Sequence, residues 1–239
     1  MNRMKIVFTD TKTVTSGDST LLDRFKDFGE VVMFDNLDSS LVAFHANDAD
    51  ILVCNKTVIT ADTISKMPNL KLITLLATGY NNIDIKAASE RGIAVCNAGE
   101  YSTSSVAQQV FAYILYYTNN VASFDKRVKD GKWENSDIFC ILDNSMQELE
   151  GKTIGIFGFG SIGRRVARIA KAFGMEVVYY ATSGVAHSDE YESVSLQKLM
   201  SECDVISVHA PLNERTNNLI TYKELALMKK SAYKKTKRN

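Results

Sequence analysis

Thr153-Ile-Gly-Ile-Phe157-Gly158-Phe159-Gly160-Ser161-Ile162-Gly163 leads straight into Arg164-Arg-Val-Ala-Arg-Ile-Ala-Lys-Ala-Phe173, so a β-branched apolar run passes through three glycines into an amphipathic stretch. This is the sequence of a strand, a tight turn and a helix, and each glycine has a mechanical task. Gly158 makes the turn, Gly160 lets the backbone approach a diphosphate, and Gly163 lets the helix pack closely on the strand. The phosphates sit on amides at the helix N-terminus, where the helix dipole favours negative charge. Arg164 and Arg165 follow the turn, within reach of such phosphates or as solvated helix residues.

Working outward, the same alternation of short apolar runs and amphipathic stretches fills the chain, which predicts βαβ units and parallel sheets. Toward the N-terminus, strands are expected at residues 6–8, 31–34, 51–53, 72–76 and 93–96, with amphipathic segments at 21–28, 41–47, 60–67 and 85–91. A first α/β domain therefore closes near residue 100. One helix is expected over 104–129, opened by Ser102 and Thr103 and closed by Gly131, and its apolar positions cover most of its sides. Such a helix is either core or a dimer contact. Residues 135–150 read as a surface connection. After the elbow come strand 177–180, helix 195–203, strand 205–208 and helix 222–228.

Equal numbers of basic and acidic residues, 28 each, leave no net field to draw nucleic acid or an anionic membrane surface. With 45% hydrophobic and 23% charged residues the composition is that of an ordinary globular chain. The longest apolar run, 110–117, is too short to span a bilayer, and the first residues lack the apolar core of a signal peptide. Cys54, Cys96, Cys140 and Cys203 lie far apart with no C-x-x-C pair, which argues against zinc and disulfides and for reduced core thiols in a cytoplasmic protein.

The usual acid at the end of the second strand after the elbow is absent, its place taken by Ala181-Thr182-Ser183. No arginine stands there either, so NAD is the expected cofactor and NADP stays open. His209-Ala210-Pro211-Leu ends the next strand, on the side where a doubly wound sheet binds ligands. His209 itself is expected to be a hydrogen-bonded packing residue rather than a proton-transfer group.

Taken together, Leu76-Ala-Thr-Gly-Tyr-Asn-Asn-Ile-Asp84, Tyr101-Ser-Thr-Ser-Ser-Val-Ala-Gln108, the glycine elbow with Gly174, and His209-Ala-Pro-Leu-Asn-Glu-Arg-Thr216 resemble the D-isomer-specific 2-hydroxyacid dehydrogenases, most of all their glycerate dehydrogenase (hydroxypyruvate reductase) branch. The resemblance runs from residue 4 to about 233. It implies an α/β protein of two doubly wound parallel-sheet domains: a flavodoxin-like substrate domain, 1–101, without its C-terminal return segment, and an incomplete Rossmann NAD-binding domain, 102–233. It further implies that Ala77, Thr78 and Gly79 present amides to a substrate carboxylate with Lys56 nearby. Thr103 and residues 106–108 would lie against the nicotinamide. Gly158, Phe159, Gly160, Ser161, Ile162, Gly163, Ala181, Thr182, Ser183, His209, Ala210, Pro211 and Thr216 would hold the rest of the cofactor.

The implied activity is hydride transfer between the nicotinamide and C2 of a small 2-oxo or 2-hydroxy acid, such as hydroxypyruvate, glycerate or glyoxylate, in a homodimer. The family's catalytic arginine, glutamate and histidine lie beyond Tyr233, where the likeness ends. From Lys229 to Asn239 the chain puts six of its 28 basic residues into eleven positions, too charged for the buried strand that is due there. Residues 234–239 are therefore expected to be an aberrant basic tail, and the 239-residue chain to be inactive or nearly so. The alternative expectation is a non-catalytic NAD-binding or interaction protein.

Overall fold

The computed structural model describes residues 3–140 and 146–235, and they divide into two compact units, 1–101 and 102–239. In the first unit, β1 (Met4–Phe8), β2 (Gly29–Met33), β3 (Ile51–Cys54), β4 (Leu72–Leu75) and β5 (Ala94–Asn97) pair in the order β2-β1-β3-β4-β5, every ladder parallel. Side chains alternate across a pleated strand, and β1 is apolar from Ile6 to Phe8 and β3 from Ile51 to Cys54, so both faces must be covered there. Ile6, Phe8 and Val53 pack on one face with Leu22. On the other, Val7, Leu52 and Cys54 meet Ile59, Ile64, Met67 and Ala88. The covering elements are short: α1 (Lys12–Thr15), α2 (Val42–His45), α3 (Ala61–Ser65) and α4 (Ile85–Glu90). The segment expected to be amphipathic at 21–28 forms a 3₁₀ helix, Ser19–Asp27, begun by the Asp18 carboxylate accepting from Thr20 N–H.

The second unit opens with α5 (Thr103–Thr118) and α6 (Val121–Lys129) and continues with β6 (Thr153–Phe157), α7 (Ser161–Ala172), β7 (Glu176–Tyr180), β8 (Glu192–Ser193), α8 (Leu196–Glu202), β9 (Val205–Val208), α9 (Tyr222–Ala226) and β10 (Tyr233–Lys235). The sheet order is β10-β9-β6-β7-β8, again all parallel. In sequence terms this is 5-4-1-2-3, the dinucleotide-binding winding, and the first unit's 2-1-3-4-5 is the flavodoxin-like one. Ile154, Ile156, Val177 and Tyr179 face α5 and α7, while Ile206 and Met200 sit in a second cluster flanked by Val178 and Tyr180.

Three expectations need correction. The single helix over 104–129 is two, because Asn120 takes a left-handed backbone (φ 48°) that no continuous helix allows. The basic segment after the last helix does begin a strand, since β10 pairs with β9 at the sheet edge. Backbone pairing on one side is all that an edge strand requires. The remainder of the tail, Arg238 included, lies outside the described residues. Of the cysteines, only Cys54 and Cys203 are buried; Cys96 is exposed and Cys140 half-buried.

The two sheets are stitched at their N-terminal ends by the same device. Asp50, just before β3, accepts from the Lys5 N–H of β1 at 2.9 Å and from Lys71 Nζ at 2.7 Å. Asp204, just before β9, accepts from the Thr153 N–H of β6 at 2.9 Å and from Lys229 Nζ at 2.8 Å. The bond from Lys71 holds the Asp50 carboxyl below the usual carboxylate range. Burial opposes ionisation of Asp204, but the bonds from Lys229 and Thr153 outweigh it and the net direction is also downward. Among the described residues no helix is long and apolar enough to cross a membrane, and no cluster of histidines, cysteines or carboxylates could hold a metal.

Candidate nucleotide and carboxylate sites

In a doubly wound sheet the crevice opens at the carboxyl end, where the winding reverses. For the second unit that point lies between β6 and β9. Gly158 ends β6 with φ +89°, and its N–H donates to Tyr180 O at 3.1 Å. A Cβ built on it would lie 2.6 Å from Ala210 N, so only glycine lets the turn after β6 pass the turn after β9. A Cβ on Gly163 would lie 2.5 Å from Gly158 O, which fixes α7 against the elbow. Gly160 is different. It is exposed, and a Cβ there would meet nothing within 4 Å.

Gly160 also caps α7 without a side chain, and the first intrahelical bond runs from Arg164 N–H to Gly160 O at 2.9 Å. The amides of 160–163 therefore precede the helical ladder and face an open head, which suits a diphosphate in shape and in charge. Phe159 is 4% exposed and stacks on Tyr179 with ring centroids 4.0 Å apart, holding the elbow down. The Arg164 guanidinium turns back to Phe159 O at 3.0 Å, so it braces the elbow.

Ala181, Thr182 and Ser183 form a turn after β7 closed by Gly184 N–H to Ala181 O at 2.9 Å, and Ser183 Oγ lies 2.6 Å from His187 Nε2. No carboxylate occupies those three positions. His209 follows β9, its N–H bonded to Phe157 O at 2.7 Å and its Nε2 2.7 Å from Ser207 Oγ. Thr216 Oγ1 donates to Pro211 O and accepts from Asn213 N–H, knitting the 211–216 loop into one piece. The elbow, the 181–183 turn and residues 209–210 are thus brought together by these bonds and close approaches. Thr103 is not among them: it starts α5, and its Oγ1 is buried with no hydrogen-bond partner among the described residues.

The first unit reverses between β1 and β3, and its crevice is built in the opposite way. Asp10, two residues past β1 and 4% exposed, accepts from three successive backbone N–H groups after β3. These are Asn55 at 2.8 Å, Lys56 at 2.5 Å and Thr57 at 2.9 Å. Asn55 Nδ2 donates in turn to Thr13 Oγ1 at 2.8 Å. Asn55 and Thr57 are buried and Lys56 is exposed. Next to this loop, Asn82 Nδ2 donates to Thr57 O at 2.8 Å, joining it to the loop after β4.

In that second loop Thr78 Oγ1 donates to Gly99 O at 2.8 Å, Asn97 Nδ2 donates to Thr78 O at 2.7 Å, and Ala98 N–H donates to Ala77 O at 3.0 Å. With carbonyls 77 and 78 tied back toward β5, Gly79 is left exposed, and its N–H has no acceptor among the described residues. Lys56 and residues 77–79, paired by resemblance in the sequence, are thus carried on two hydrogen-bonded neighbouring loops. Asp10, Asn82 and Asn97 were not foreseen; the one signal pointing to Asp10 was a carboxylate placed directly after an apolar strand.

Residues 111–233 match the family model described as the NAD binding domain of D-isomer specific 2-hydroxyacid dehydrogenases. A hydroxypyruvate reductase of Blautia hydrogenotrophica is 36% identical over 233 residues, 95% of this chain and 71% of that protein. Among solved structures, an acyclic imino acid reductase in complex with NADPH and D-Arg is similar at a TM-score of 0.85 and 30% identity, over 97% of this chain and 73% of that one. D-Lactate dehydrogenase from Aquifex aeolicus, complexed with NAD and lactic acid, gives 0.81 and 32% over 96% and 67%. An open glycine elbow at the reversal of a 5-4-1-2-3 sheet, a 2-1-3-4-5 sheet before it, and likeness over nearly the whole length make this chain a member of the D-isomer specific 2-hydroxyacid dehydrogenase family.

Proposed function

We propose that the second unit binds a nicotinamide dinucleotide through the elbow at 158–163, and that the first binds the carboxylate of a small 2-oxo or 2-hydroxy acid through Lys56 and residues 77–79. The observation that carries this reading is the open head of α7 at Gly160, with the close approach of Gly158 to Ala210 beside it. Bound there, the dinucleotide supplies hydride exchange with C2 of the acid, and the protein supplies orientation and charge stabilisation. The amides at 160–163 hold the diphosphate, the 181–183 turn borders the adenosine ribose, and the 209–216 loop closes the adenosine side. Thr103, whose buried hydroxyl lacks a partner among the described residues, is assigned to the nicotinamide. Hydroxypyruvate, glycerate and glyoxylate are the proposed substrates, supported by likeness to a hydroxypyruvate reductase. NAD is the favoured cofactor; the 181–183 turn has neither the acid that rejects a 2′-phosphate nor an arginine that recruits one.

A second reading, binding with little turnover, rests on His209, whose N–H bonds Phe157 O just before the elbow. Its Nε2 is taken up by Ser207 Oγ, which makes it a packing group and leaves proton transfer without an assigned donor among the site residues. Losing a positioned acid–base group removes about 10²- to 10⁴-fold in rate. The exposed Tyr113, Tyr116 and Tyr117 of α5 are the surface proposed for a second copy. NADH fluorescence titration followed by a 2-oxo acid screen separates the readings: binding with turnover supports the dehydrogenase, binding without it supports the second, and no binding overturns both.

A further inference from the structure

At the first unit's reversal point the crevice is already filled. A carboxylate that is 4% exposed sits between the ends of β1 and β3 and takes the N–H groups of Asn55, Lys56 and Thr57. Three consequences follow. An incoming anion finds no amides there, because those that elsewhere form an anion nest are turned inward onto Asp10. The buried negative charge itself repels a second anion at that spot. With successive peptide N–H groups fixed, the side chain between Asn55 and Thr57 is the one turned out to solvent, and it is Lys56. The loop can thus offer a ligand an ammonium group but no amides, whereas the neighbouring loop offers the Gly79 amide.

We propose that Asp10 is a positioning residue: by fixing three consecutive peptide groups it sets where the Lys56 ammonium meets the substrate carboxylate. Through Thr57 O and Asn82 Nδ2 it also sets the spacing of Lys56 from the loop carrying Gly79. The inference rests on the reading that Lys56 and Gly79 hold that carboxylate. A lysine side chain has four rotatable bonds and no fixed fork, so its contribution to binding depends on a stem whose root does not wander. Removing the carboxylate leaves the root free without touching the ammonium.

The test is a double-mutant cycle on the full 239-residue chain, read by the Gly79 amide resonance while hydroxypyruvate is titrated in the presence of oxidised NAD. Lys56→Gln is expected to weaken binding about tenfold, roughly one charge-assisted hydrogen bond. Asp10→Asn, which keeps the shape, is expected to weaken it to a similar degree, and the double variant to bind no worse than Lys56→Gln alone. If Asp10 acted only by its charge, Asp10→Asn would tighten binding. If it acted only on stability, its effect would persist in full in the Lys56→Gln background. Either result overturns the proposal while leaving the carboxylate site intact. No shift of the Gly79 resonance in the unaltered chain, or unchanged binding by Lys56→Gln, would instead remove the carboxylate site and the proposal with it. Should Asp10→Asn fail to fold, Asp10→Ser carries the same cycle, since its smaller oxygen still accepts one of the three bonds.

Discussion

The two reversal points of this chain, β1/β3 and β6/β9, are the same topological feature solved with opposite chemistry. In the second unit the crevice is emptied: Gly158 and Gly163 remove the Cβ atoms that would strike Ala210 and the Gly158 carbonyl, and Gly160 leaves open space over the head of α7. In the first unit the crevice is plugged by the Asp10 carboxylate, which consumes three amides in one stroke. Where a sheet is wound twice, the topology supplies an anion site by default. Side chains decide whether it is used, and in the first unit one aspartate occupies its amides.

The comparison breaks most easily at the glycines. Gly158→Val places a branched Cβ 2.6 Å from a backbone nitrogen at a positive φ, and a loss of about 4 kcal/mol or more in the second unit is expected by chemical denaturation. A loss below about 1 kcal/mol would mean that the two turns are not in contact. Asp10→Ala strands three N–H groups, those of Asn55 and Thr57 buried, for an expected loss of about 2 to 3 kcal/mol in the first unit. Unchanged stability would show that water replaces the carboxylate freely.

The buried thiols sharpen the comparison from another side, one lying in each unit's core. Burial pushes Cys54 and Cys203 up to about 12. A raised acid pKa in the fold leaves stability intact below the unfolded thiol value near 9.0 and erodes it as pH rises toward 12. Alkylation at pH 8 should therefore label the exposed Cys96 rapidly, and Cys54 and Cys203 only on unfolding; equal rates for all would contradict the burial. At the acid end Asp50 and Asp204 are both held below their ordinary range, so the fold favours their ionised forms. That stability is present above about 3.8 and lost as pH falls beneath it, and denaturation midpoints at pH 6 and pH 3 measure the loss.

How much of this was legible depended on whether a constraint was local. The elbow is local, since a positive φ and two close approaches can be met only by glycine, and the sequence names its glycines openly. The central parallel strands were equally readable, because positions covered on both faces, such as 6–8 and 51–54, are apolar. The break between α5 and α6 left no trace: apolar periodicity continues on both sides, and an asparagine entering the left-handed region looks like any polar residue. β8, only two residues long, is too short to carry a pattern. Asp10 escaped for a deeper reason. Its partners lie 45 to 47 residues away and are peptide N–H groups, which every residue type but proline provides, so no residue pattern marks them. A catalogue of motifs finds sites built by removing side chains more readily than sites built by burying one.

The central claim is that the head of α7 is open for a diphosphate, and Gly160→Val tests it most directly. A Cβ there would meet nothing within 4 Å, so the variant should stay folded, losing no more than the about 1 kcal/mol that a poor N-cap residue costs, while losing NADH affinity by about a hundredfold in a fluorescence titration. NADH binding of equal strength in the folded variant and the unaltered chain would contradict the account.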